Sequence, residues 1–209
     1  MIYLRKRYVP FALFRMMIER KTQMMKRALI AATLLAAAGA AQAQTVTYQG
    51  AVALQSTNWQ FLALTLPQWD PAAFGVTAGD LTSVILTISG NVAGTIDITN
   101  QNPAGSALVS YSLQSSITFF APNGLQVLVI PAAGGNTNLL AGNTFNSGPL
   151  SNNAANAANA LAADFPLYTG VGTIAVGVQA FGTSFASGGG NLLAQITSDA
   201  GATYSVTYN

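Results

Sequence analysis

Residues 109–129 read VSYSLQSSITFFAPNGLQVLV. Val109, Tyr111, Leu113, Ile117 and Phe119 share one parity, Pro122-Asn123-Gly124 interrupts the run, and Leu125, Val127 and Val129 resume it. Successive side chains of a strand point to opposite faces, so a period of two gathers these apolar residues on one side. The Asn-Gly step supplies the positive φ that a tight connection requires. The stretch predicts an antiparallel hairpin with one apolar face.

The same period extends in both directions. Val46, Tyr48, Val52 and Leu54 share a face, and Gln60, Leu62, Leu64 and Leu66 share another up to Pro67. Val84, Leu86 and Ile88 alternate, and after Gly90-Asn91 the pattern resumes with Val92, Gly94, Ile96 and Ile98. Ile174, Val176 and Val178 alternate within 173–185. Residues 193–197 and 202–208 flank Asp199-Ala200-Gly201. In the last of these, Ala202, Tyr204, Val206 and Tyr208 oppose Thr203, Ser205 and Thr207. About eight or more short strands with Gly, Pro and Asn turns predict a single all-β domain, an antiparallel β-sandwich of jelly-roll type. The alternation fails between Pro131 and Gly170. There the composition predicts a flexible excursion over 131–170, with one short helix near 154–163 where alanine dominates.

Charge divides the chain. It has 209 residues and a formal net charge of +2, yet all eight Lys and Arg residues precede position 28. Residues 25–43, MKRALIAATLLAAAGAAQA, pair a short basic start with an apolar run and end on Ala41-Gln42-Ala43. This is the pattern of a helical signal peptide cut between Ala43 and Gln44, and its apolar run is too short for a membrane span. Residues 1–24 read as an upstream start assigned too early, or as an extended basic region of the leader. The expected product is residues 44–209, secreted to the extracellular space or the periplasm.

That product excludes whole classes of function. It contains no Lys, Arg, His, Cys or Glu, and its five aspartates give a formal charge of −5. Without Lys or Arg, nothing displaces counterions from phosphates, so nucleic acid is excluded and anionic headgroups are disfavoured. There is no disulfide framework. Ser–His and Cys–His nucleophiles and His- or Cys-based zinc sites are absent, and no aspartate spacing marks a carboxylate pair. The expectation is a protein that is not an enzyme and has no cofactor, calcium being the one candidate. Asp97, Asn100 and Asn102 offer oxygen ligands of the kind calcium takes, or else simply turn the backbone through Asx bonds. Trp69, in a Pro-flanked loop, is the candidate ligand-stacking ring, with Trp59 at a strand start; core packing is the alternative for both. Gly188–Gly190 lacks the Lys and the strand–helix setting of a phosphate loop and reads as a turn.

Five stretches taken together resemble a known family. They are Gln55-Ser56-Thr57-Asn58-Trp59, the run from Leu64 to Pro71, Leu81-Thr82-Ser83-Val84, the run from Leu167 to Thr173, and the run from Gly201 to Tyr208. Their order resembles the choice-of-anchor E domain family of bacterial surface and secreted proteins, over roughly residues 45–208. The resemblance implies export and a β-rich domain, and it brings no activity or catalytic residue. Members commonly carry a C-terminal sorting signal. This chain stops at Asn209 without one, so anchoring is not expected.

With Lys unavailable, strand edges must be protected by other means than charge. The leading expectation is a secreted or cell-surface structural or adhesion-type domain that self-associates as extracellular matrix. A carbohydrate- or small-ligand-binding module is the alternative, and a small outer-membrane barrel a further one. Fractionation of a culture with mass spectrometry of the protein's N-terminus is expected to find a chain beginning at Gln44 outside the cytoplasm. An uncut 209-residue chain in the cell interior would refute the leader assignment.

Overall fold

A computed structural model describes residues 45–209. The expected leader, residues 25–43, and the segment 1–24 lie outside the described residues. Eleven strands make up most of the described chain. They are β1 (Val46–Ser56), β2 (Leu62–Pro67), β3 (Val84–Asn100), β4 (Ser106–Phe120), β5 (Gln126–Val129), β6 (Ala132–Leu140), β7 (Thr144–Asn146), β8 (Leu150–Asn159), β9 (Thr173–Gly182), β10 (Phe185–Gly188) and β11 (Leu192–Tyr208). One helical turn, α1 (Phe165–Tyr168), precedes β9.

The strands form two antiparallel sheets. In the first the order is β1-β11-β3, and the far edge of β3 pairs with β8 and then β7. In the second, β2 pairs β9, and β4 carries β9 and β10 on one edge and β5 and β6 on the other. The register of β5 and β6 along β4 is continuous, as is that of β9 and β10, so each pair is one strand interrupted. Pro131, which has no N–H for the ladder, breaks the first. At the second break the Ser184 hydroxyl replaces backbone: it accepts from Gln114 N at 2.8 Å and donates to Gln114 O at 3.1 Å. With these pairs merged, and β7 and β8 taken together, the sheets read 1-11-3-7/8 and 2-9/10-4-5/6. That strand order is a jelly roll.

The expected hairpin forms as read. Ile117 faces Val129 and Phe119 faces Val127, and Gly124 takes a φ of 80° in the turn. The apolar parity of each long strand turns inward. Val84, Leu86 and Ile88 of β3 meet Ile117 and Phe119 of β4, Val176 and Val178 of β9, and Tyr204, Val206 and Tyr208 of β11 in the main core. Val92, Ile96, Ile98, Val109, Leu113 and Leu139 make a second cluster further along the same strands. Each such side chain, fully buried, contributes about 1.5–3 kcal/mol. The two sheets stack face to face with this core between them and close no barrel, so the barrel expectation does not hold for the described residues. No helix among them is long and apolar enough to cross a membrane.

Three expectations are corrected. The excursion at 131–170 is mostly strand, holding β6, β7 and β8. The α-helix expected at 154–163 is absent from that position; β8 runs through Asn159, a 3-10 turn follows at Ala162–Asp164, and the single α-helical turn among the described residues comes later, at Phe165–Tyr168. Ala propensity is overridden because β8 completes a ten-residue ladder on β3, from Gly94↔Leu150 to Ile85↔Asn159. Ala154 and Ala158 pack on the core, where small side chains fit beside the opposite sheet. Leu54 does not share the inward face of Val52. The register of β1 on β11 shifts between Val52 and Gln55, and Leu54 is left 47% exposed.

Gly90 seats the sheets against each other. A β-carbon there would stand 2.6 Å from Ile117 Cδ1 and 2.9 Å from Val129 Cγ2. Gly90→Val is therefore expected to lower stability by about 1–3 kcal/mol through overpacking, and Ile117→Ala by about 2–5 kcal/mol through a cavity. Urea unfolding followed by tryptophan fluorescence measures both.

Candidate functional site

Trp69 is not a surface platform. It is 4% exposed and belongs to the main core. Its backbone explains why: Trp69 N donates to Tyr168 O at 2.9 Å, Gly170 N donates to Trp69 O at 2.9 Å, and the residue makes a parallel bridge with Thr169. The Pro-flanked loop is thereby held under α1, with its ring beneath. Trp59 is half-buried against the same core, and its indole N–H is buried without a hydrogen-bond partner among the described residues.

The three oxygen-bearing residues near the end of β3 do not converge. Asp97 lies in the strand, not a turn, and its carboxylate accepts from Asn146 Nδ2 across the sheet. Asn100 has the opposite parity and is fully buried. Its Nδ2 donates to Leu139 O at 2.8 Å, and its Oδ1 accepts from Asn102 N at 3.0 Å. Asn102 Oδ1 accepts from Asn191 N at 2.8 Å. Asn100 thus makes one Asx-turn bond to the backbone two residues on, the other two bonds tie this loop to distant backbone at Leu139 and Asn191, and the Asp97 side chain leaves from the other face.

Where β1 crosses to β2, a strap closes one side of the sandwich. Thr57 N donates to Ser198 O at 3.0 Å, Gly182 N donates to Asn58 Oδ1 at 2.9 Å, and Ala180 N donates to Trp59 O at 3.1 Å. Asn58 adopts a φ of 72°, the left-handed conformation that Asn tolerates. A cleft of about 380 Å³ lies beside the strap, lined by Ser56, Thr57, Ser184, Ile196 and Ser198 among others. Its Ser184 hydroxyl is engaged with Gln114, while the Ser198 hydroxyl is buried without a hydrogen-bond partner among the described residues.

The opposite side is closed by side chains. Asn156 Nδ2 donates to Leu128 O at 3.0 Å and Asn152 Nδ2 donates to Ala132 O at 2.5 Å. These amides reach from β8 in one sheet to the outer carbonyls of β5 and β6 in the other. β2 is a short edge of six residues ending at Pro67. β1 differs from all of these. Among the described residues it pairs only with β11, and it runs eleven residues, VTYQGAVALQS, without a charge or a proline. The strand carries no charged side chain, and among the described residues its edge is interrupted by the bulge at Val52–Gln55 alone. The sequence signal for this edge was the absence of Lys; which strand would be exposed required the topology.

The sequence matches no known protein-family profile and no curated protein. Among solved structures, similarity is found to a chain of the T13 IBDV viral particle at 12% identity and a TM-score of 0.23, covering 79% of this chain and 35% of that one. A chain of the infectious bursal disease virus Gx strain gives 12% identity, a TM-score of 0.17 and coverages of 79% and 36%. The chain thus spans about a third of the length of these virus chains, and likeness at this level carries no argument. The jelly-roll assignment rests on strand order alone.

Two predictions follow from the buried aromatic groups. Trp69→Ala is expected to cost about 3–5 kcal/mol of stability, read as a lowered urea midpoint. Burial first, and the Asp164 carboxylate second, push the Tyr168 hydroxyl up to about 12 from the ordinary 10.0, and burial also raises Tyr208. The unfolded chain loses these protons from about pH 10 while the folded chain keeps them. Stability is therefore full below pH 10 and falls as pH rises toward 12. Melting temperatures across that range are expected to decline, and less steeply in Tyr168→Phe.

Proposed function

We propose that residues 44–209 form an exported, non-catalytic structural or adhesion-type module that joins a second copy of itself through the edge of β1. The observation that carries this reading is the eleven-residue uncharged edge of β1, which is unpaired among the described residues, beside edges that are stitched or short. The leader pattern and the resemblance to choice-of-anchor E proteins support export. The lack of His, Cys, Lys, Arg and Glu after residue 43 supports a role without catalysis.

The edge also sets the geometry of the assembly. An antiparallel β1–β1 pairing about a twofold axis satisfies both rows of backbone groups and fuses two first sheets into one. Such an isologous contact is closed, so its product is a dimer. Growth into a fibre requires a second contact, and the short β2 is a poor one.

Sedimentation and negative-stain microscopy of the mature protein test the proposal. A concentration-dependent dimer is expected for the native sequence. Thr47→Lys with Gln49→Lys, both at exposed positions of β1, is expected to leave a monomer with a melting temperature within a few degrees of the original. A native protein that stays monomeric at high concentration would refute it.

A further inference from the structure

The outer face of the first sheet carries a dent at its centre. One cross-strand rank there consists of Gly201 on β11, Asn91 on β3 and Asn153 on β8. The next rank holds Thr203 and Ser89. Gly201 itself is buried: the Asn91 Oδ1 and the Leu54 backbone occupy the place its side chain would take, 2.6 Å and 3.1 Å from a β-carbon there, and the gap opens beside them. The concavity lies beside the β1 bulge, with Leu54 on that side, and holds about 360 Å³. Ligand pockets commonly enclose about 300–1,000 Å³.

We infer that this dent binds a neutral saccharide through a pair of adjacent hydroxyls. The chemistry of the lining selects that ligand. Each Asn amide offers a carbonyl acceptor and two N–H donors, and each sugar hydroxyl both donates and accepts. Asn91 and Asn153 are direct cross-strand partners and both line the dent, so one ring bearing neighbouring hydroxyls can meet both side chains. Elsewhere on the same face polar side chains pair with each other, as Thr47 does with Thr207, Thr95 with Thr197, Thr99 with Thr144 and Asp97 with Asn146. The side chains of Asn91, Asn153, Ser89 and Thr203 make no such bond among the described residues. Leu54, 47% exposed, supplies an apolar wall for the C–H face of a ring.

Charge narrows the choice further. The lining is uncharged, so an ionic ligand would lose hydration with no partner to replace it. The next outward position on β11 is Asp199, whose negative charge disfavours acidic sugars. The dent borders β1 at Ala51, Val52 and Leu54, while Thr47 and Gln49 lie outside its lining, so lysines at those two positions separate edge pairing from sugar binding.

The test is NMR titration of ¹⁵N-labelled mature protein with methyl α-D-mannopyranoside and methyl β-D-galactopyranoside, with glucuronic acid as the acidic control. Saturable shifts of the Asn91 and Asn153 side-chain amide signals are expected with a neutral sugar and not with the acid. Asn91→Ala and Asn153→Ala are each expected to weaken binding about tenfold. Thr203→Val, nearly isosteric on an exposed position, provides a second variant should either alanine variant fold poorly, and it is expected to weaken binding measurably. Unmoved amide signals at saturating concentrations of both neutral sugars would overturn the inference, as would binding that survives the loss of both asparagines. Gln49→Lys is expected to leave the titration unchanged.

Discussion

Seventeen consecutive residue pairs, from Leu192 against Asn100 to Tyr208 against Val84, hold β11 to β3, and the first sheet is laid out from that ladder. β1 adds to the far edge of β11, and β8 and β7 add to the far edge of β3. Because the register does not slip along those seventeen pairs, the inward parity is the same at both ends. Ile96 and Ile98 can then serve one cluster while Leu86 and Ile88 serve the other. A one-residue slip would turn each of these side chains to solvent. The second sheet docks on that prepared face, with Ile117 seated over Gly90.

A domain with five aspartates and no basic side chain must meet its polar obligations with amides and hydroxyls. The structure shows how. Asn152 and Asn156 cap the carbonyls of the neighbouring sheet edge, Asn58 straps the β1–β2 crossing to β9, and Ser184 mends the break between β9 and β10. Threonine pairs tie adjacent strands on the outer face. Neutral hydrogen bonds of this kind contribute about 0.5–1.5 kcal/mol each, and salt screens them little, unlike surface ion pairs. The same economy leaves β1 without a charged side chain and leaves Asn91 and Asn153 without side-chain hydrogen bonds among the described residues beside the dent.

The asparagines near the end of β3 show where pattern reading ends. Spacing placed Asp97, Asn100 and Asn102 together as an oxygen cluster in a turn. Extension of β3 to Asn100 separated them, because odd and even positions of a strand face opposite ways. Trp69 is a related case. Its Pro-flanked setting suggested a loop at the surface, and the contacts that draw it inward come from Tyr168 and Gly170, about a hundred residues downstream. Nothing local to Trp69 carries that information.

What the chain determined alone was the class of fold and the inward face of its long strands. Period-two alternation is a local property, and burial of one face follows from it wherever a second sheet is available. Composition likewise determined the chemistry the domain lacks. Only tertiary structure decided that Ala154–Asn159 pairs as strand instead of coiling, since a completed ladder on β3 outweighs alanine's helical preference. Tertiary structure also decided which edge stays open and which polar side chains come together around the dent on the outer face. Both depend on which strands end up as neighbours, and strand order is set by contacts between residues far apart in the chain.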